Sequence, residues 1–279
     1  MGDRTRSYLS YVPANLPRGA PLVIVLHASA MNAAIMRKWT GYEFDQWADQ
    51  EGYAVAYPNG YKHNWNDCRK KATYPAKRLN IDDMGFMQAL IAQMAARHGI
   101  DAHKVFMFGY SNGGHMALRL ALDTPDAVAA VTAVAASLPT PDSSSCTSQG
   151  HTARIMLVDG TRDPINPYQG GGVTLFGFGK RGSVLSAQES VRQLAARNGL
   201  LSPPVAAQMP HLHAGDPTSV DRLTWANNGV PVTVLYTVHG GGHVVPQPAF
   251  RFPRLLGRTT GDLDAPKAAL EFFGLLREK

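Results

Sequence analysis

Apolar and polar positions alternate between two habits along this chain. Short, nearly unbroken apolar runs recur at residues 21–26, 53–57, 105–108, 127–135, 154–158 and 232–238. A strand covered on both faces of a sheet reads this way, with no polar side to show. Between the runs lie stretches with helical spacing, at residues 44–49, 82–97, 115–122, 186–198 and 265–277. In 82–97 one face collects Phe86, Met87, Leu90, Ile91 and Met94, with Asn80 or Asp82 as the cap and Gly99 just past the end. In 186–198 Val191, Leu194 and Ala195 point inward. Residues 7–12 alternate and predict an edge strand, and Pro58-Asn59-Gly60 stops the strand before it.

Strands taking turns with helices over the whole length predict an α/β fold. Its central sheet is mostly parallel, with helices on both faces. The longest irregular segments are 59–78, 164–184 and 203–225. In an open parallel sheet such loops gather over the strand ends, where ligands bind. No break in composition, internal repeat or low-complexity tail divides the chain, so residues 1–279 are expected to form a single domain.

Composition agrees with a full globular core: 44% of residues are hydrophobic and 17% charged. No apolar run is long enough to span a bilayer. The first residues show no basic segment followed by an apolar stretch, so no signal peptide is expected. The net charge is +6, but the basic residues are scattered. The densest group, Arg69-Lys70-Lys71 with Lys77 and Arg78, has no aromatic interleaving, and nucleic acid is not an expected partner. Cys68 and Cys146 are the two cysteines, too few for a zinc site. They supply either one disulfide or two free thiols. No metal and no cofactor is expected. Gly177-Phe178-Gly179-Lys180-Arg181-Gly182 matches a dinucleotide-binding pattern but follows no strand and opens no helix.

The chemistry concentrates at Gly109-Tyr110-Ser111-Asn112-Gly113, a G-x-S-x-G sequence between an apolar run and a helical stretch. A serine on such a strand-to-helix turn projects its hydroxyl above the sheet. Serine is a weak nucleophile alone and needs a base, which in turn needs a carboxylate to fix its tautomer. Two later strand ends offer them. Asp163 lies in Asp159-Gly160-Thr161-Arg162-Asp163-Pro164, and His243 closes His239-Gly240-Gly241-Gly242-His243. Asp159 and His239 are the rivals; each ends its strand, whereas Asp163 and His243 sit in the loops beyond. A tetrahedral oxyanion needs backbone donors, expected at Asn112 and in the loop His27-Ala28-Ser29. His27 itself is read as a brace for that loop.

Those blocks, in this order, resemble the poly(3-hydroxybutyrate) depolymerase-like esterases, which include feruloyl and acetylxylan esterases of similar architecture. The resemblance rests on Leu26-His27 with Asn32, Trp65-Asn66-Asp67, Asp82 through Phe86, Gly109 through Gly114, Gly160 through Pro164, Gly240 through His243, and Leu255-Leu256-Gly257-Arg258. It implies an α/β-hydrolase fold and a serine carboxylic-ester hydrolase. Ser111 would be the nucleophile, Asp163 the acid and His243 the base, with oxyanion donors at Asn112 and at Ala28 or Ser29. It places Trp65 and Tyr110 at the substrate cleft. It implies a secreted or periplasmic location and a Cys68–Cys146 bridge. Depolymerases that attack solid polyester commonly add a linker and a binding domain. These residues hold neither, so small or oligomeric soluble esters are the expected substrates. Such families usually carry Gly where this chain has Ala28. A serine peptidase on the same fold and a non-catalytic binding protein are the competing expectations.

Overall fold

The computed structural model describes residues 4–146 and 150–276. The first half runs β1 (Tyr8–Tyr11), β2 (Leu22–Leu26), α1 (Ala33–Trp39), α2 (Glu43–Glu51), β3 (Ala54–Pro58), α3 (Pro75–Arg78), α4 (Asp83–His98), β4 (Val105–Tyr110), α5 (Asn112–Asp123) and β5 (Ala130–Val134). The second half adds β6 (Arg154–Gly160), the two-residue strands β7 (Gly171–Gly172) and β8 (Ser183–Val184), α6 (Ala187–Arg197), β9 (Val205–Gln208), β10 (Ser219–Asn227), β11 (Val230–His239) and α7 (Ala265–Phe273).

Nine strands form one sheet in the order β1-β3-β2-β4-β5-β6-β11-β10-β9. The six strands from β3 to β11 in that order are parallel to their neighbours. β1 closes one edge antiparallel to β3, and β10 with β9 extend the other edge antiparallel. The period of two explains the apolar runs. In β2, Leu22, Ile24 and Leu26 enter one core with α4, α5 and α6, while Val23 and Val25 enter a second core with α1, α2 and α7. Both faces are dry, so β2, β3, β5 and most of β6 carry no exposed position.

Asp82 rather than Asn80 caps α4, accepting from the Gly85 N–H at 2.8 Å. Helix α7 stops at Phe273, with Gly274 in the left-handed region; Arg277, expected in it, lies outside the described residues, as do 147–149 in the loop 139–150. Three elements correct the sequence reading. Segment 203–225 is not irregular: it holds the mostly exposed edge strand β9 and most of the half-buried β10, which give no steady apolar alternation. Helix α1 also went unread, although Asn32 caps it by accepting from Ile35 N–H at 2.9 Å and Met36 is buried.

Cys68 and Cys146 are bonded, tying the loop after β3 to the loop after β5 across 78 residues of sequence. Backbone bonds flank the bridge, from Ser145 N–H to the Cys68 carbonyl and from Lys70 N–H to the Ser143 carbonyl. Closing a loop of this size removes unfolded-state freedom worth about 2–5 kcal/mol. Reduction is therefore expected to lower the melting temperature by several degrees. Intact mass after alkylation, with and without prior reduction, checks the bridge; alkylation of both thiols without reductant would contradict it.

Candidate active site

Ser111 follows β4 directly and precedes the first residue of α5. Its backbone sits at φ 54° and ψ −116°, a conformation that side chains rarely adopt. Holding a non-glycine residue there costs on the order of 1–3 kcal/mol. Two glycines make the turn possible. A Cβ on Gly109 would overlap the Gly113 carbonyl, and a Cβ on Gly113 would overlap the carbonyls of Leu26 and His27. The strained turn is fastened by Ser111 N–H donating to the Val134 carbonyl at 2.8 Å and by His115 N–H donating to the Ser111 carbonyl at 2.9 Å.

Two other strand ends converge on the hydroxyl. Past β11, His243 places Nε2 2.9 Å from Ser111 Oγ. Past β6, Asp163 places Oδ2 2.7 Å from His243 Nδ1. The other oxygen of Asp163 accepts from Ile165 N–H at 2.7 Å and Asn166 N–H at 2.8 Å. Those donors hold the carboxylate in place and aim its free oxygen at the imidazole. With Nδ1–H donating to Asp163, Nε2 is left to accept from Ser111. The His243 backbone is fixed as well: its N–H donates to the Leu256 carbonyl at 2.6 Å, and Tyr110 Oη donates to its carbonyl at 2.7 Å. The Leu255-Leu256-Gly257-Arg258 block thus anchors the histidine loop.

The rivals occupy other places. Asp159 lies inside β6, buried, and near enough to feel the Asp163 charge. Burial, with the neighbouring Asp163 charge, holds its carboxyl well above the usual carboxylate range. His239 ends β11 and pairs with Asp221 at 2.7 Å on the surface.

The loop after β2 reaches the same cavity with Ala28 and Ser29. His27 is a brace, as expected. Its Nδ1–H donates to the Ala28 carbonyl at 2.7 Å and its Nε2 accepts from Gly60 N–H at 2.9 Å. That pairing needs the neutral ring, and burial pushes its pKa down to about 4. The His27 carbonyl accepts from Trp65 Nε1 at 2.9 Å. Because a trans peptide points its C=O and N–H in opposite directions, the Ala28 N–H is turned away from Trp65. Ala28 is absent from the residues with positive φ, so its methyl group fits where a glycine was the family expectation.

Trp65, expected at the cleft, lies behind it. It is fully buried, packs on the His27 ring at 4.9 Å between centroids, and donates its backbone N–H to Asn112 Oδ1 at 2.8 Å. Asn112 also donates through Nδ2 to Asp67 at 2.7 Å, and Asp67 is paired with Arg69 at 2.6 Å. Burial alone would raise Asp67; the Arg69 guanidinium overrides it and holds the carboxyl below the usual range. Arg69, counted in the basic group, is therefore an internal residue.

Tyr110, Ser111 and His243 line a cavity of about 290 Å³ whose walls are otherwise mostly apolar. Met31, Ile35 and Trp39 line it from the segment leading into and through α1, and Leu175 and Arg181 from the loop 173–182. Sequence reading missed these. The Asn32 cap followed by Ile35, Met36 and Trp39 was an available helical signal; nothing in the spacing of Leu175 and Arg181 marks them.

Comparison with known proteins gives concordant results. The family model described as Esterase PHB depolymerase matches residues 6–165. A protein of Nocardia uniformis subsp. tsuyamanensis named as an esterase, NocK, is 31% identical over 98% of this chain and 80% of its own length. Poly(3-hydroxyalkanoate) depolymerase C of Paucimonas lemoignei is 27% identical over 85% of this chain, which spans 58% of that enzyme. The solved acetyl xylan esterase from Aspergillus awamori shares the fold, with a TM-score of 0.61 over 96% of this chain and 94% of its own at 16% identity.

Two outcomes are expected. Asp163→Asn replaces the carboxylate that accepts from His243 Nδ1 and, with Asp163 as the acid, should lower kcat on a 4-nitrophenyl ester by about 10⁴-fold. Asp159→Asn replaces a buried carboxyl that does not touch the imidazole and should cost far less; equal losses would reverse the assignment. Separately, His27 is neutral in the fold but titrates at its ordinary value when unfolded, so the unfolded state binds the extra proton first on acidification. Stability should fall as pH drops from about 6.5 toward 4 through this residue. Denaturation midpoints across that range should fall less steeply for His27→Asn; parallel slopes would contradict it.

Proposed function

Because this chain belongs to the Esterase PHB depolymerase family of carboxylesterase-type hydrolases on the α/β-hydrolase fold, we propose that it cleaves carboxylic esters through an acyl-enzyme formed on Ser111. The observation that carries the reading is the continuous relay from Ser111 Oγ to His243 at 2.9 Å and from His243 to Asp163 at 2.7 Å, opening into a cavity.

Ser111 Oγ attacks the ester carbonyl while its proton passes to His243 Nε2. Asp163 holds the imidazole in its productive tautomer and stabilises the imidazolium that forms. The carbonyl oxygen, now negative, is met by the Asn112 N–H at the start of α5 and by the Ala28 N–H. Each such donor is worth about 3 kcal/mol of transition-state stabilisation. The positive end of the α5 dipole adds to the same effect. Collapse breaks the ester C–O bond, and the leaving alcohol takes the proton from Nε2. Water then repeats the sequence, with His243 as base, and frees the acid.

The apolar walls suit an acyl chain or an aryl group, and the wall residue Trp39 is backed by stacking on Phe250 at 5.2 Å between centroids. Soluble or oligomeric esters of hydroxyalkanoate, feruloyl or acetyl type fit this wall. The chain acts as one catalytic domain built on the single nine-stranded sheet. A secreted or periplasmic location is supported by the disulfide, which persists in oxidising compartments.

Hydrolysis of 4-nitrophenyl acetate through hexanoate by the wild type and Ser111→Ala tests the mechanism. The wild type should turn over and the variant should lose at least about 10³-fold in kcat/KM. Equal rates would remove Ser111 from the chemistry, and no hydrolysis by either would favour a binding protein. Methyl ferulate, acetylated xylan and hydroxybutyrate oligomers then rank the ester classes.

A further inference from the structure

The glycine-rich stretch 177–182 has no role in the relay, yet it delivers a cation to the relay's cavity. Arg181 is fixed by the backbone bonds that join its strip to Val173. Arg181 N–H donates to the Val173 carbonyl at 2.9 Å, and Val173 N–H donates to the Gly182 carbonyl at 2.8 Å. The side chain, half-buried, lines the cavity with Ser111 and His243. One donor, Nη1, reaches Ser29 Oγ at 3.1 Å, in the loop that carries the Ala28 amide.

Among the described residues this guanidinium has no paired counter-charge: no ion pair includes it. Asp67, an anion close enough to act on it, is taken by Arg69 at 2.6 Å and by Asn112 at 2.7 Å, and Arg69 itself repels it. Burial in these surroundings opposes its charge. A partly desolvated cation facing apolar walls is costly unless an anion completes it. Ser29 occupies one of the five N–H donors of the guanidinium, and the planar fork matches a carboxylate.

We propose that Arg181 binds a free carboxylate carried by the ester substrate, so that the preferred substrates are esters of acidic molecules, such as an oligoester with its carboxyl end free. This assignment rests on the serine-esterase reading above. The carboxylate bound by Arg181 places the scissile carbonyl of the same molecule in the cavity beside Ser111, and the rest of the substrate lies along the apolar wall. Arg181 is thus a specificity-determining residue, whose contact with Ser29 Oγ also tethers the oxyanion loop.

Two ester pairs test it, each an anion against its neutral carboxamide. The acyl-side pair is 4-nitrophenyl hydrogen adipate and 4-nitrophenyl adipamate. The alcohol-side pair is 4-(butyryloxy)benzoate and 4-(butyryloxy)benzamide. In the wild type, kcat/KM for the anion should exceed that for the amide by about tenfold or more in at least one pair, mostly through KM. Arg181→Gln should erase that ratio, and Arg181→Lys should retain part of it. A ratio near one in the wild type, or one that Arg181→Gln changes by less than twofold, overturns the proposal. A purely structural tether to Ser29 would lower both members of a pair together and leave the ratio intact. Ser111→Ala run alongside separates the two ideas: full activity in that variant sinks the nucleophile, not the carboxylate contact. Glutarate and glutaramide, which carry no ester, are compared by melting-temperature shift in the wild type and Arg181→Gln. Stabilisation by glutarate alone, absent in the variant, supports the contact without turnover; equal shifts in both proteins overturn it.

Discussion

Backbone against backbone, the start of α5 presses on the ends of β2 and β4, and the site depends on that contact. Gly113 lies so close to the carbonyls of Leu26 and His27, and Gly109 so close to Gly113, that neither position accepts a side chain. The approach bends the chain sharply at Ser111 and forces its positive φ. It also puts the N-terminus of α5 beside the loop that begins at His27. The hydroxyl and both candidate oxyanion amides are thus placed by one packing event.

A close contact of this kind needs support from outside the sheet, because the turn itself is strained. The support comes from the loop after β3. Trp65 holds the His27 carbonyl and gives its own N–H to Asn112, and Asn112 in turn holds Asp67. Arg69 and Tyr74 complete Asp67, so the buried charge is paired and hydrogen-bonded. An ion pair in such surroundings adds little net stability, but breaking it would leave a charge uncompensated. Its consequence here is positional: the side chain of Asn112 is immobilised while its amide stays at the head of the helix. Asp83 extends the support, accepting from Asn66 N–H at 2.7 Å and from Arg6 at 2.6 Å. The Trp65-Asn66-Asp67 and Asp82-Asp83 blocks of the resemblance are explained by scaffolding.

Much of this was legible in the chain. Strands β2 to β6 announced themselves because burial on both faces removes polar alternation. Asp163 and His243 could be picked from their rivals because a residue one loop beyond a strand end can turn toward the cleft, while Asp159, still in the ladder, is enclosed by the sheet. Strands β9 and β10 were not legible. They extend one side of the sheet antiparallel; β9, at the edge, is exposed at three of its four positions, and β10 beside it is mostly half-buried, so neither carries the unbroken apolar run of the central strands. Trp65 was misplaced because an aromatic residue beside Asn and Asp reads the same whether it faces a substrate or a histidine ring. Arg181 was hidden in a motif of another chemistry.

By itself, the order of apolar runs, helical stretches and the G-x-S-x-G turn determined the α/β architecture and brought Ser111, Asp163 and His243 to one edge of one sheet. Those features are local, or follow from strand polarity, and therefore survive in one dimension. Tertiary structure alone decided that His27 is neutral and Trp65 is a buttress, and that Arg181 enters the cavity with no ion-pair partner among the described residues. Each of those depends on distances between segments far apart in the chain. Burial and charge pairing exist only once the segments have met.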